Sequence, residues 1–263
     1  MSSADLTARL ELALLAAREA GQLTLRYFQT EGLAVELKPD ASPVTIADRQ
    51  SEQLLRERIA ARFPHDGILG EEFPETPGTS GYRWILDPID GTKSFIRGVP
   101  LYGTMVGVEQ GGQSVVGVVN IPALDECIYA AKGQGAWYQR GQAAVRRARV
   151  SSRETLAESL LCSSDTRFPT VSRADAYRRL QQAVGVSRTW GDCYGYLLVA
   201  TGRAEVMIDP IMNVWDAAAI QPIVVEAGGT FTDWQGQPSI HSGEGIATNG
   251  KLLEQVLAIT RGA

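Results

Sequence analysis

The chain has 263 residues, 44% hydrophobic and 21% charged, a composition that can bury a sizeable core. Thirty acidic residues against 25 basic ones leave a net charge of −5. That balance argues against broad electrostatic attraction to nucleic acid or to an anionic membrane surface.

Residues 5–28 repeat apolar side chains at three- and four-residue steps, which predicts an amphipathic helix. The stretch 33–44, with Lys38-Pro39-Asp40 and Ser42-Pro43, reads as a strand followed by a loop. Thr45 to Asp48 has the form of a capping box opening a helix that runs to about Phe63, where Pro64 stops it. A short apolar run, Gly67 to Gly70, ends in Glu71-Glu72. A second, Arg83 to Leu86, ends in Asp87-Pro88, and a short helix is expected over Lys93 to Arg97. Residues 102–109 and 114–121 are rich in β-formers and flank Gly111-Gly112, a hairpin signal. Residues 126–131 and 136–140 continue the antiparallel pattern. The polar stretch 141–153, with Arg146, Arg147, Arg149 and Arg153, reads as a solvated strand edge or a subdomain boundary. Further on, Gly191–Thr201 reads as a helix, Ala204–Asp209 as a strand, Asn213–Ala227 as one helix, and a short helix follows Asn249-Gly250. The whole is α+β or layered α/β.

Several functional classes drop out. The two histidines, His65 and His241, sit in no motif-like setting, so neither a His-rich zinc site nor a histidine-based triad is expected. Cys127, Cys162 and Cys193 show no C-x-x-C spacing, which favours a reducing compartment over a disulfide framework. There is no signal-peptide pattern and no 18-residue apolar run, so a cytoplasmic protein is expected.

What remains is a set of carboxylates at the ends of apolar runs: Glu71, Asp87, Asp90 and Asp216. Asp87 and Asp90, brought together by a loop containing Pro88 and Gly91, would repel one another unless a cation lay between them. Oxygen ligands without histidine or cysteine select magnesium, calcium or manganese over zinc. Free N–H groups at a helix start after Gly91-Thr92 would suit an anion such as phosphate. Each of these residues also has an ordinary structural reading: Asp48, Asp192 and Asp216 as helix caps, Asp-Pro and Asp-Gly as turn dipeptides, and Glu71-Glu72 as a surface pair.

Three motifs resemble those of the inositol monophosphatase family of magnesium-dependent, lithium-sensitive phosphatases. They are Gly70-Glu71-Glu72, Trp84 to Thr92 followed by Ser94-Phe95, and Trp215-Asp216-Ala217-Ala218 with Glu226 to Gly229 behind it. Their order fits from about residue 5 to residue 260. The resemblance implies a layered α-β-α-β-α sandwich, one phosphatase domain over 1–263 with a metal-binding half of about 1–145 and a substrate-side half of about 146–263, and commonly a homodimer. It implies a first magnesium on Glu71, Asp87 and the Ile89 carbonyl, a second on Asp87, Asp90 and Asp216, and a weaker third using Glu71, with manganese as a substitute. Glu71, Thr92 and Asp48 would serve catalysis, Thr92 with Asp48 positioning and deprotonating the attacking water. The N–H groups of Gly91 and Thr92 would hold the phosphate of a small phosphomonoester. The run Gly191-Asp192-Cys193-Tyr194-Gly195-Tyr196 resembles the histidinol-phosphatase branch. On that resemblance Asp192 and Asp209, with Asp216 close by, would face the ammonium and imidazole of histidinol phosphate, and Arg188 would orient the ligand. An inositol-1-phosphatase, a broader sugar phosphatase and a non-catalytic binding protein are the alternatives. Trp190 and Tyr194 are expected in the core or as a pocket wall.

Overall fold

The computed structural model describes residues 3–261; Met1, Ser2, Gly262 and Ala263 of the expected 1–263 domain lie outside the described residues. In chain order the elements are α1 (Ser3–Leu25), β1 (Val35–Leu37), β2 (Pro43–Thr45), α2 (Ile46–Arg62), β3 (Gly67–Gly70), β4 (Tyr82–Asp90), α3 (Thr92–Phe95), β5 (Gly103–Gln110), β6 (Gln113–Ile121), β7 (Glu126–Ala131), β8 (Gly135–Arg140) and β9 (Arg146–Arg147). Then follow β10 (Leu160–Ser163), α4 (Val171–Ala183), β11 (Val186–Arg188), α5 (Asp192–Ala200), β12 (Val206–Asp209), α6 (Val214–Ala218), α7 (Ile220–Glu226), β13 (Thr230–Thr232), β14 (Gly245–Thr248) and α8 (Leu253–Thr260).

Strands β3 to β9 form a seven-stranded sheet in chain order, and a five-stranded sheet runs β11-β10-β12-β14-β13. The β3–β4 pair is parallel, as are the pairs that β10 makes with β11 and β12; all other pairs are antiparallel. Period-two alternation assigns the faces of the larger sheet. Trp84, Leu86, Val106, Val108, Val116 and Val118 meet the alanine-rich side of α1 and the inner face of α2. Ile85, Met105, Val119 and Ile128 point the other way, into a cluster with α5, α6, α7 and the smaller sheet. On the far face of that smaller sheet, Val206, Ile208 and Ile246 pack with Leu180 of α4 and Val256 of α8. The five layers are therefore α-β-α-β-α, as expected.

Several element boundaries move. The first helix stops at Leu25, and the stretch after it is a small antiparallel hairpin, β1 with β2, instead of a strand and a loop. The helix after Gly91 covers Thr92–Phe95. Arg146 and Arg147 form the edge strand β9, their guanidiniums over the rings of Tyr138 and Trp137 at 4.6 and 4.8 Å, so this part of the basic stretch is a solvated sheet edge. No helix among the described residues is long and apolar enough to cross a membrane.

The single helix expected over Asn213–Ala227 is two, α6 and α7, meeting at Ala219. Pro222 explains the break, because it has no N–H to offer the carbonyl of Ala218. The Ser114 hydroxyl of β6 donates to that carbonyl instead. The junction lies so close to the sheet that a Cβ on Gly117 would stand 2.0 Å from the Ala219 carbonyl oxygen. Gly117→Ala should therefore lower stability by about 1–3 kcal/mol, the usual cost of overpacking a filled core. Urea unfolding of the two proteins checks this; equal midpoints would show that the junction is not held against the sheet.

Candidate active site

The two sheets and the helices between them bring the carboxylate ends of several elements together. β4 carries Asp87 and Asp90. Residues three apart on a regular strand face opposite ways, but the β4–β5 register shifts between these two, and such an irregularity re-aims side chains. Pro88 contributes no N–H, and its carbonyl accepts from the Thr104 hydroxyl at 3.0 Å. Asp216 arrives on the first turn of α6. One carboxylate oxygen from each of Asp87, Asp90 and Asp216 lies within 4.8 Å of the others.

The surrounding chain holds each carboxylate by a distinct contact. Asp87 Oδ1 accepts from the Ile89 N–H at 3.1 Å. Asp90 Oδ2 accepts from the Cys193 N–H. Asp216 Oδ2 accepts from the Asn213 N–H at 2.6 Å, closing a capping box on α6. Asp48 closes the matching box on α2: its Oδ2 accepts from the N–H and hydroxyl of Thr45 at 2.8 and 2.6 Å. Its other oxygen accepts from the Thr92 hydroxyl at 3.3 Å, and that hydroxyl also lies 3.0 Å from the Ile89 carbonyl. Asp48 and Asp216 thus each close a capping box, as the third helical residue, while standing at the candidate site. Gly91, at φ +85°, turns the chain between Asp90 and Thr92.

Glu71 follows β3, its N–H donating to the Leu86 carbonyl at 3.2 Å. It stands outside the close carboxylate triad, because Lys38 from the β1–β2 hairpin takes it: Lys38 Nζ lies 2.7 Å from both Glu71 Oε1 and Glu72 Oε1. Asp209, at the end of β12, is buried with both oxygens engaged, Oδ1 by the Ser164 N–H at 3.1 Å and Oδ2 by the Tyr196 hydroxyl at 2.9 Å. Asp192 heads α5 without capping it. Its backbone is left-handed, at φ +53°.

A cavity of about 540 Å³ is lined by Glu71, Thr92, Lys93, Ser164, Asp192 and Ile211, among others. A smaller one beside it, of about 70 Å³, takes in Asp90, Cys193 and Asp216. Arg188 does not line either. It lies exposed on the edge strand β11, where its Nη1 donates to the Ser187 carbonyl and its guanidinium faces the Trp190 ring. Trp190 is 44% exposed, outside the core, whereas Tyr194 packs against the central cluster. Lys93, Ser164, Asp165 and Arg167 line the larger cavity and were not anticipated there, nor was the pairing of Lys38 with Glu71. The signal for Ser164 and Asp165 was present: both follow the apolar run Leu160–Cys162, just as Asp87 follows its own.

Burial raises the aspartates gathered at the site. Asp87 and Asp90 are pushed well above the usual range, by burial first and then by neighbouring carboxylates, Glu71 and Asp90 for Asp87, Asp192 and Asp216 for Asp90. Burial likewise lifts Asp192 to about 7, with Asp209 and Asp216 adding to it and Lys93 opposing. Asp216 rises to about 7, again through burial, against the Asn213 N–H. Glu72 rises to about 7 through burial, which outweighs its bond to Lys38. Asp48 and Asp209 are also raised by burial, against the donors from Thr45 and from Ser164 and Tyr196 respectively. Burial raises all three cysteine thiols too, Cys127 to about 11 and Cys162 to about 12, so none is an activated nucleophile. An all-oxygen donor set with so much negative charge fits a hard divalent cation.

A carboxyl whose folded value exceeds its unfolded value of about 3.9 binds its proton more tightly in the native state. Asp192 and Asp216 therefore stabilise the metal-stripped protein fully below about pH 4, and that contribution is lost as pH rises through about 7. The melting temperature in chelator should fall between about pH 4 and about pH 7. The double variant Asp192→Asn, Asp216→Asn should flatten the slope. A melting temperature that rises over this window in chelator would contradict the assignment.

Residues 5–263 match the model of the inositol monophosphatase family. The chain is 46% identical to a histidinol-phosphatase of Chlorobaculum parvum, over 98% of each chain. It is 39% identical to a histidinol-phosphatase of Streptomyces coelicolor, over 94% of this chain and 95% of that one. Among solved structures, the extragenic suppressor protein suhB of Bartonella henselae superimposes with a TM-score of 0.89 at 30% identity, over 97% of this chain and 99% of that one.

Proposed function

The chain belongs to the inositol monophosphatase family and is a phosphoric monoester hydrolase, and from that premise we propose that it hydrolyses L-histidinol phosphate to L-histidinol and phosphate with magnesium. The observation that carries the substrate is Asp192: a carboxylate against the cavity, next to the metal-type cluster, where the leaving group would lie. Histidinol carries an ammonium and an imidazole, and a carboxylate in a partly desolvated pocket pairs strongly with such a cation. The similarity to two histidinol-phosphatases supports the same reading. A neutral inositol would gain one hydrogen bond there and no ion pair.

In this reading Asp87, Asp90 and Asp216 hold one magnesium, Glu71, Asp87 and the Ile89 carbonyl another, and Glu71 contributes to a weaker third; manganese can substitute. Bound magnesium supplies an acidified water and positive charge against the phosphoryl oxygens. The chain's own residues do the rest. The N–H groups of Gly91 and Thr92 receive the phosphate. Thr92 Oγ1 takes the proton of the attacking water as it passes its own to Asp48 Oδ1, whose burial raises its proton affinity. Asp192 holds the amino end of the leaving group, and the departing alkoxide takes a proton from solvent. We place catalysis and metal binding in residues of about 1–145, completed by Asp216, and leaving-group recognition in about 146–263. Arg188, on the exposed edge, is left out of the machinery within one chain. The half-exposed Trp190 and Val186 on that edge support a homodimer, and the three free buried cysteines support a cytoplasmic setting.

Phosphate release from L-histidinol phosphate and from myo-inositol 1-phosphate, with magnesium and with chelator, tests the reading. Magnesium-dependent turnover with a strong preference for histidinol phosphate is expected; a preference for inositol phosphate would overturn the substrate. Asp90→Asn should cost at least about a hundredfold in kcat, since even residues that only orient a metal ligand cost 10- to 100-fold. Near-normal turnover in that variant would remove Asp90 from the metal set. Lithium should inhibit at millimolar concentration, read as a fall in initial rate at fixed magnesium.

A further inference from the structure

Asp192 is one of four non-glycine residues with a left-handed backbone among the described residues, and of those four it is the one that lines the cavity. Such a conformation persists only where the surroundings enforce it. The enforcing contact is Ser164, on the loop that follows β10: the Asp192 N–H donates to Ser164 Oγ at 2.7 Å. Ser164 is itself anchored, its N–H donating to the buried Asp209 carboxylate. The two segments are pressed together at the same point, since a Cβ on Gly191 would stand 2.2 Å from Ser164 Cα. On the other side, Asp192 Oδ2 lies 2.9 Å from where a Cβ on Gly91 would be, so the carboxylate sits over the turn proposed to receive phosphate. A chain of contacts thus runs from Asp209 through Ser164 to the Asp192 backbone and ends at the cavity.

We propose that Ser164 is a positioning residue: by accepting the Asp192 N–H it holds that backbone left-handed and sets the carboxylate at the leaving-group end of the cavity, and so sets the preference for a cationic leaving group. Asp209 acts through Ser164 in the same way, as its buried anchor. This rests on the reading of Asp192 as the partner of the substrate ammonium. Without the Ser164 hydroxyl the Asp192 backbone is free to relax to an ordinary helical conformation, which swings the carboxylate off the turn at Gly91. Phosphate binding and proton transfer, carried by other residues, are untouched.

The test is steady-state kinetics of the magnesium-loaded enzyme on L-histidinol phosphate and on p-nitrophenyl phosphate, whose leaving group carries no cation. The proteins are the parent, Ser164→Ala, Asp192→Ala and the double variant. Ser164→Ala should raise KM for histidinol phosphate about tenfold, the scale of one lost hydrogen bond to a charged partner. Its kcat should stay within about twofold and its p-nitrophenyl phosphate kinetics should stay unchanged, the signature of lost ground-state binding. The double variant should be no worse than Asp192→Ala, because Ser164 then has nothing to position. Equal losses on both substrates, or a loss confined to kcat, would make Ser164 merely structural and overturn the proposal. A selective loss in Asp192→Ala without one in Ser164→Ala would overturn it while leaving the Asp192 reading intact. No selective loss in Asp192→Ala would overturn both.

Discussion

The gathering of carboxylates away from solvent and against one another is the constraint on which this structure turns. Asp87, Asp90, Asp192, Asp209 and Asp216 are gathered where the two sheets and the helices between them meet; each is raised first by loss of solvent, and Asp87, Asp90, Asp192 and Asp216 further by one another or by Asp209 and Glu71. A fold holds such a cluster by giving its members directed donors and by keeping the elements that carry them from moving apart. Backbone N–H groups of Ile89, Cys193, Ser164 and Asn213 supply donors to Asp87, Asp90, Asp209 and Asp216 in turn. The five-layer packing supplies the rigidity, with the central helices sharing one apolar cluster with both sheets. The charge left over is what makes the place suitable for a divalent cation and an anionic substrate together.

Much of this was legible in the sequence because strong local signals and the chemistry coincide. The Thr45–Asp48 capping box and the apolar runs ending in Glu71 and Asp87 each announce a boundary, and these boundaries are where the site lies; the Gly111-Gly112 hairpin announces one at the far end of its strands. The ambiguity that local reading left at Asp48 and Asp216, cap or site residue, dissolves in three dimensions. In Asp48 one carboxylate oxygen closes the capping box while the other accepts from Thr92, and Asp216 closes its own box while standing in the carboxylate cluster.

What was not legible depends on partners distant in sequence. Nothing near Asp192 says that it is left-handed; that follows from Ser164, 28 residues away and on another strand's end. Lys38 meets Glu71 and Glu72 only because the β1–β2 hairpin folds back over the end of β3. The break between α6 and α7 is foreshadowed by Pro222, but the donor that makes the break tolerable, Ser114, lies more than a hundred residues earlier. Arg188 looked like a ligand-orienting residue because it precedes Gly191-Asp192 in sequence, yet the edge strand carries it to the surface.

That broken helix has a consequence for how the site works. Asp216 rides on five residues of α6, too short a helix to hold its own orientation. Its far end is bonded to a middle strand through Ser114 and lies flush against Gly117, so α6 cannot tilt without the seven-stranded sheet tilting with it. The metal-type cluster is therefore preorganised: one of its carboxylates is carried by the helix and two by a strand of the very sheet that pins it. The entropy of assembling the ligands is lost once, when the chain folds, and does not recur at each turnover.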